Sequence, residues 1–146
     1  MNALAQSNDL PPSGAAILLV EDDPDIAEMF SLGLSGAGHE VEVAGDGWHA
    51  VERARSKRFD LVFLDVQLPQ LDGLTALAFL RSSEPTHDLP VAMLTNSGDE
   101  TQRRRARSLG ILDWLVKSEV TPAELAKRAS AWTAHLKVRI ARKQIH

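Results

Sequence analysis

The chain contains no cysteine, which excludes disulfide bonds and thiolate chemistry. No apolar run approaches the length of a transmembrane segment, and the first residues lack the basic and apolar regions of a signal peptide. We therefore expect a cytoplasmic protein without membrane contact. The net charge of -4 gives no global reason to expect nucleic acid as a partner. The 146 residues, of which 44% are apolar, are typical of one globular domain.

Strand-like and helix-like patterns alternate along the chain. Short apolar or alternating runs predict strands at 16–20, 40–44, 61–64, 90–94 and 114–116. Helical spacing predicts helices over 24–37, 46–56, 74–81, 99–109 and from 122 to about 145. This alternation is typical of an α/β fold with a parallel sheet covered on both faces. We predict a doubly wound, flavodoxin-like, five-stranded sheet in the order 2-1-3-4-5, with a long C-terminal helix.

Composition divides the chain into three parts. Residues 1–14 are polar, contain Pro11 and Pro12, and predict a disordered leader. Residues 15–137 form the predicted domain. Residues 138–146 are rich in basic residues and predict an extension of the last helix.

Charged and polar residues follow four of the predicted strands where each one ends. Glu21 and Asp22 follow the first strand, Asp65 the third, Thr95 the fourth and Lys117 the fifth. In a parallel sheet these ends emerge at one edge, and strands one and three are neighbours in the predicted order. Clustered carboxylates repel one another unless a cation joins them, and oxygen ligands suit Mg²⁺. The sequence therefore predicts a magnesium site at this edge.

Four segments, each at the end of a predicted strand, carry a family resemblance: "LLVEDD", "FLDVQLPQLDG", "MLTN" and "WLVK". From Ala16 to about Lys137 the chain resembles the response regulator receiver domain of two-component signalling. The resemblance implies that Asp65 is the phosphoacceptor, with Thr95 and Lys117 contacting the phosphoryl oxygens. It also implies Mg²⁺ held by Asp22, by Asp65, by Glu21 through a water and by the backbone carbonyl of Gln67. Thr95 and Trp114 would act as switch residues.

The function expected from this resemblance is a phosphorylation-dependent signalling switch. A histidine kinase or phosphotransfer protein would donate the phosphoryl group, and the signal would leave through a docked protein or a homodimer formed through the last helix. No enzymatic activity is expected beyond self-phosphorylation and self-dephosphorylation at Asp65.

Three other functions compete with this switch. One alternative is a receiver-fold adaptor or dimerisation module that acts without phosphorylation. A flavin or nucleotide enzyme of the same layered class is disfavoured, because "VEDDPD" stands where a glycine-rich phosphate loop would be needed. Direct DNA binding is also disfavoured, because few residues remain for a helix-turn-helix domain. Whether the chain is complete or a fragment stays open.

Two positions depart from the family pattern. Ser118 follows Lys117 where most receivers carry proline, which leaves the placement of Lys117 in question. Asn96 follows Thr95 where a small residue is usual, and it could narrow access to the phosphoryl pocket.

Several other residues are interpreted structurally. We expect Asp23 and Asp72 to cap helices, Trp48 and Trp132 to pack, and the five histidines to lie on the surface. The arginines of the fourth helix are interpreted as a solvated face, with a protein-docking surface as the second possibility; they are Arg103, Arg104, Arg105 and Arg107.

Overall fold

The computed structural model describes residues 14–96 and 98–145, with side chains described as far as Ala134. Five strands form one parallel sheet: β1 (Ala16–Val20), β2 (Glu40–Ala44), β3 (Leu61–Leu64), β4 (Val91–Thr95) and β5 (Trp114–Val116). Five α-helices alternate with them: α1 (Pro24–Gly36), α2 (Gly47–Ser56), α3 (Gly73–Ser82), α4 (Glu100–Leu109) and α5 (Pro122–Ile145). Short 3-10 turns follow α3 at Glu84–Thr86 and β5 at Lys117–Glu119.

The sheet order is β2-β1-β3-β4-β5, which confirms the predicted topology. All four strand pairings are parallel, so the carboxyl ends of the strands lie at one edge. β1 and β3 are neighbours, with Val20 opposite Leu64. The residues that follow these two strands, Glu21 and Asp65, are therefore brought side by side.

Two apolar cores cover the two faces of the sheet. Alternate side chains of β1, such as Leu18 and Val20, contact the inner faces of α2, α3 and α4. The intervening side chains, such as Ile17 and Leu19, contact α1 and α5. The central strand β3 is buried along its whole length. Such a strand must be apolar on both faces, which explains its continuous run "LVFL".

Aspartates begin four of the helices through side-chain hydrogen bonds. Asp23, Asp46, Asp72 and Asp99 each accept backbone N–H groups from the first turn of the following helix. The prediction that Asp23 and Asp72 are caps is confirmed. Because each cap stands shortly after a strand, it fixes where the chain leaves the sheet edge and turns into a helix.

The last helix is packed against the core where its side chains are described. Leu125 and Ala129 are fully buried, and the Trp132 ring lies with its centroid 6.2 Å from that of Phe63. The expectation that Trp132 packs is confirmed. In the sequence these three residues lie on one apolar stripe of α5, the face expected to form a homodimer, and here they pack in the core with α1 and the sheet. The fourth residue of that stripe, Leu136, lies outside the described side chains.

Two sequence interpretations need correction. His39 was expected on the surface, but it is 6% exposed, because its ring fills the space between β1 and α5. Its Nδ1 accepts the backbone N–H of Ala15 at 2.9 Å, and its Nε2 lies 3.0 Å from the Ser130 hydroxyl. Trp48 was expected to pack, but it is 51% exposed and contacts Phe79 at the surface, with ring centroids 5.4 Å apart.

Residues 1–13 of the predicted leader lie outside the described residues. Of the predicted basic extension, 138–145 is described only as backbone of α5, and His146 lies outside the described residues. Within 14–96 and 98–145, no helix combines the length and apolar character needed to cross a membrane.

Candidate functional site

Three carboxylates meet at the carboxyl edge of the sheet. One oxygen from each of Glu21, Asp22 and Asp65 can be chosen so that all three lie within 4.8 Å of one another. Glu21 and Asp65 are 3% and 4% exposed, whereas Asp22 faces solvent. The topology produces this arrangement, since Glu21 and Asp22 follow β1 and Asp65 follows the neighbouring β3.

The Lys117 ammonium lies between the two buried carboxylates. Its Nζ donates to Asp65 Oδ2 at 2.6 Å and lies 2.5 Å from Glu21 Oε1. Burial acts to lower the pKa of Lys117, but the hydrogen bonds and charges of Asp65 and Glu21 outweigh it and raise the pKa above its ordinary value. Lys117 is therefore a stable cation, and it offsets the repulsion expected between the carboxylates.

Backbone amides hold the remaining carboxylate oxygens. Asp65 Oδ1 accepts the N–H of Gln67 at 3.2 Å, and Glu21 Oε2 accepts the N–H of Asp23 at 3.0 Å. Both carboxylates are therefore fixed on one side by the backbone and on the other by Lys117. Such fixed, buried acceptor groups are pre-arranged for a cationic or phosphoryl ligand.

Thr95 and Trp114 lie on the other side of Asp65, on β4 and β5. Thr95 is buried at the end of β4 and is paired in register with Val116. Trp114 is half-buried, and the guanidinium carbon of Arg103 lies 5.5 Å from the centroid of its ring. Among the described residues the indole Nε1 is buried without a hydrogen-bond partner.

An open cleft of about 630 Å³ adjoins the carboxylates, lined by Asp22, Gln67, Asp72 and Gln102 among others. Gln67 is exposed and lines this cleft together with Asp22. The Arg104 and Arg105 side chains are exposed on α4, as the solvated-face interpretation expects. Arg107 pairs with Glu100 at 3.2 Å.

Gly73 lies against the backbone of Asp65, a contact that sequence reasoning missed. A Cβ at this position would lie 1.9 Å from the backbone carbonyl oxygen of Asp65, and the Gly73 N–H bonds the carbonyl of Val66. Any side chain here would displace the backbone of Asp65 and Val66. The signal in the sequence was the Asp72-Gly73 pair, which we interpreted only as turn and cap chemistry.

The structure thus brings together Glu21, Asp22, Asp65 and Lys117, and it places Gln67, Thr95 and Trp114 on the surrounding elements. The Lys117–Ser118 peptide is trans, as are all the described peptide bonds. The placement of Lys117 that the missing proline left in question is therefore resolved by its contacts with Asp65 and Glu21.

Comparison with known proteins places the chain among signalling regulators. A family model described as response regulator receiver domain matches residues 17–130. The DNA-binding dual master transcriptional regulator RpaA of Synechocystis is 39% identical over 101 residues, which are 69% of this chain and 42% of that protein. The transcriptional activator protein PfeR of Pseudomonas aeruginosa is 41% identical over 115 residues, 79% of this chain and 36% of that protein.

Two solved structures resemble the domain closely. Chemotaxis response regulator CheY4 of Vibrio cholerae is 32% identical with a TM-score of 0.74, over 82% of this chain and 99% of that chain. The receiver domain of sensor histidine kinase PA1611 from Pseudomonas aeruginosa is also 32% identical with a TM-score of 0.74, over 84% of this chain and 99% of that chain. The latter structure has a magnesium ion in its active-site cleft.

The chain spans less than half the length of the two transcriptional relatives. Because those relatives are DNA-binding or transcriptional proteins, the expectation of no nucleic-acid contact finds no support in them.

Proposed function

The chain belongs to the response regulator receiver domain family, and on that premise we propose that Asp65 accepts a phosphoryl group from a phosphohistidine donor. The observation that carries the proposal is the contact of 2.6 Å between the Lys117 ammonium and Asp65, beside two further carboxylates. An aspartate that only capped a helix at the surface would be neither buried, as Asp65 is, nor in contact with a lysine ammonium. Receiver domains bind Mg²⁺ at this acidic pocket, and Mg²⁺ is the cofactor of the domain.

The residues present fit that metal. Three carboxylates supply oxygen ligands only, and one of them, Asp22, opens onto solvent where water can complete the coordination. We assign Asp22 and Asp65 as direct ligands, Glu21 as a ligand through water and Gln67 as a ligand through its backbone carbonyl. When bound, Mg²⁺ supplies positive charge that offsets repulsion between the acceptor and the phosphoryl oxygens.

The protein's own residues orient and balance the transfer. A carboxylate oxygen of Asp65 forms a bond to phosphorus while the bond from phosphorus to the donor's imidazole nitrogen breaks, and that nitrogen retains the electron pair and takes a proton. The Gln67 N–H keeps the acceptor carboxylate turned toward the cleft. Lys117 would shift one hydrogen bond from Asp65 to a phosphoryl oxygen, and the Thr95 hydroxyl would donate to another.

Phosphorylation of Asp65 would change the surface around Thr95 and Trp114, and a partner protein that docks there would bind more tightly or more weakly. The donor would be a histidine kinase or phosphotransfer protein in the cytoplasm. No activity on an external substrate is proposed, only the gain and loss of the phosphoryl group at Asp65. A homodimer through α5 has no support from Leu125, Ala129 and Trp132, which are covered.

Mass spectrometry of the intact protein incubated with acetyl phosphate and MgCl₂ tests the proposal. Wild type should gain one hydroxylamine-sensitive phosphoryl group, and Asp65→Asn should gain none. Asp72→Asn is the matched control, since Asp72 lines the same cleft but caps α3. Label of unchanged amount on the Asp65→Asn protein, or no label on wild type, would contradict the proposal and favour the phosphorylation-independent adaptor.

A further inference from the structure

Two departures from the receiver pattern, Asn96 and Ser118, contact each other in the structure. Asn96 follows β4 and Ser118 follows Lys117 at the end of β5. The Oδ1 of Asn96 accepts the backbone N–H of Ser118 at 3.0 Å. Because Thr95 is paired with Val116, the two loops leave the sheet side by side, and this bond joins them just beyond its edge.

The bond lies next to Lys117, whose ammonium contacts two buried carboxylates. Lys117 begins the 3-10 turn Lys117–Glu119, and its ammonium must extend from this turn to contacts of 2.5 and 2.6 Å with Glu21 and Asp65. Ser118 and Glu119 are exposed, Val116 provides no side-chain cap before the turn, and the turn is closed by a long backbone hydrogen bond of 3.4 Å from the Val120 N–H to the Lys117 carbonyl. A hydrogen bond to the amide directly after Lys117 is therefore placed where it restricts the backbone that carries the ammonium.

Serine at position 118 makes this bond possible. Proline at the same position has no N–H and fixes its own backbone angle without help. Serine leaves the angle free and adds a donor, and Asn96 supplies the acceptor from the neighbouring loop. The hydrogen bond between Asn96 and Ser118 therefore restricts the backbone that proline would otherwise restrict at position 118.

We propose that Asn96 is a positioning residue that acts on the phosphorylation site through Lys117. By accepting the Ser118 N–H, its carboxamide holds the Lys117–Glu119 turn and so sets the position of the ammonium against Asp65. The proposal rests on the proposed function of Asp65. It differs from the expectation that Asn96 only narrows the pocket. Under the present proposal the labelling rate depends on the hydrogen-bond acceptor Oδ1 of Asn96 and not on the volume of its side chain.

Three substitutions of Asn96 separate the two explanations. Asn96→Leu keeps the bulk and removes the acceptor, Asn96→Ala removes both, and Asn96→Asp keeps the acceptor. Asn96 is exposed, so all three variants are expected to fold. The control is Glu119→Gln, an exposed residue of the same turn.

The first measurement follows the bond itself by amide hydrogen exchange in NMR, without any phosphodonor. The Ser118 amide should exchange about fivefold faster in Asn96→Leu and Asn96→Ala than in wild type, the effect of losing one ordinary hydrogen bond. Asn96→Asp should retain the protection. Equal exchange of this amide in wild type and Asn96→Leu would overturn the proposal.

The second measurement is the rate of labelling by acetyl phosphate at saturating MgCl₂. Asn96→Leu and Asn96→Ala should both be slowed about fivefold, and Glu119→Gln should match wild type. In a Lys117→Met background, Asn96→Leu should cause no further slowing, because Asn96 acts through Lys117. If Asn96→Ala is labelled faster than wild type and Asn96→Leu is labelled at the wild-type rate, the proposal is overturned, because Asn96 then limits access to Asp65 by its volume alone. If wild type takes no label, the function of Asp65 fails, while the exchange measurement still decides whether Asn96 holds the turn.

Discussion

Lys117 Nζ lies 2.6 Å from Oδ2 of Asp65, although 52 positions separate the two residues in the chain. The contact supplies, from within the protein, the positive charge that the carboxylate cluster was expected to require. In the absence of a metal, the buried pair Glu21 and Asp65 depends on this single ammonium among the described residues. The stability of this site and the phosphorylation proposed for it therefore both involve the Lys117 side chain.

Replacing Lys117 by methionine should make the fold depend on Mg²⁺. The substitution leaves two buried carboxylates in contact without a cation, and breaking a buried pair of this kind costs about 3 kcal/mol. Thermal unfolding without metal should show a clearly lower Tm than wild type. Added MgCl₂ should raise the Tm of Lys117→Met more than that of wild type, because the metal replaces the lost charge.

Lys57→Met is the control for this prediction. Lys57 also pairs with a glutamate, Glu42 at 3.4 Å, but its side chain is 44% exposed. Its removal should change the Tm little and leave the response to MgCl₂ unchanged. A Lys117→Met protein as stable as wild type in EDTA would show that the buried carboxylates do not need the ammonium.

The convergence of the site was predictable because parallel topology alone decides which strand ends meet. Once β1, β3 and β5 are recognised, Glu21, Asp65 and Lys117 must emerge at one edge whatever the details of packing. Side-chain partners across loops were not predictable in the same way. Asn96 and Ser118 are 22 positions apart, and no periodic pattern joins them.

Burial of polar residues was the other failure of sequence reasoning. His39 was expected at the surface, because hydropathy assigns its side chain to solvent, and the contacts of Arg81 were not predicted. In the folded chain both side chains join separate elements through hydrogen bonds. The Arg81 guanidinium, on α3, donates to the backbone carbonyls of Leu109 and Gly110 at the end of α4, both at 2.8 Å. Burial lowers the pKa of Arg81, and these carbonyls replace the water it loses. Such roles depend on where backbone groups are left unpaired, which only the folded chain defines.

His39→Phe should destabilise the domain despite conserving an aromatic ring. The imidazole joins the start of β1 to α5 through Ala15 and Ser130, and phenylalanine would leave the buried Ala15 N–H without this acceptor. An unsatisfied buried donor costs about 1–3 kcal/mol. Urea unfolding should show a lower midpoint with an unchanged slope. The matched variant His49→Phe, at an exposed position on α2, should unfold like wild type; equal midpoints for both variants would contradict the connecting role.

Gly98→Ala should displace Trp114. Gly98 has φ +127°, and a Cβ there would lie 2.1 Å from Cζ2 of the indole. The variant must therefore either move the ring outward or strain the backbone. In a Trp48→Phe background, which removes the exposed tryptophan, emission should shift to longer wavelength and the Tm should fall. Gly36→Ala is the control: no atom lies within 4 Å of its added methyl, and alanine should stabilise the end of α1. Unchanged emission and Tm in Gly98→Ala would mean that the indole does not pack on Gly98.

The stability of the domain in mild acid should depend on Glu42. This residue of β2 accepts two hydrogen bonds from the Arg53 guanidinium on α2, one of them at 3.1 Å from Nη2, and it also contacts Lys57. The hydrogen bonds from Arg53 outweigh the opposing effect of burial and lower the pKa of Glu42 below its ordinary value. A carboxyl group whose pKa is lower in the folded state stabilises the fold above its unfolded pKa of about 4.3, and this contribution is lost as the pH falls through the folded value.

Glu42→Gln should therefore be less stable than wild type at pH 7, by the modest amount typical of a partly exposed ion pair. The difference should narrow as the pH falls below about 4.3, where the unfolded wild type binds its proton first, and should be smallest below the lowered pKa of the folded state, where the wild-type side chain is also neutral. Urea unfolding from pH 7 to pH 3 measures the narrowing. Glu40→Gln is the control, because it removes a carboxylate at an exposed position of the same strand. A deficit of Glu42→Gln that stays constant down to pH 3 would show that packing of the side chain, and not its charge, joins β2 to α2.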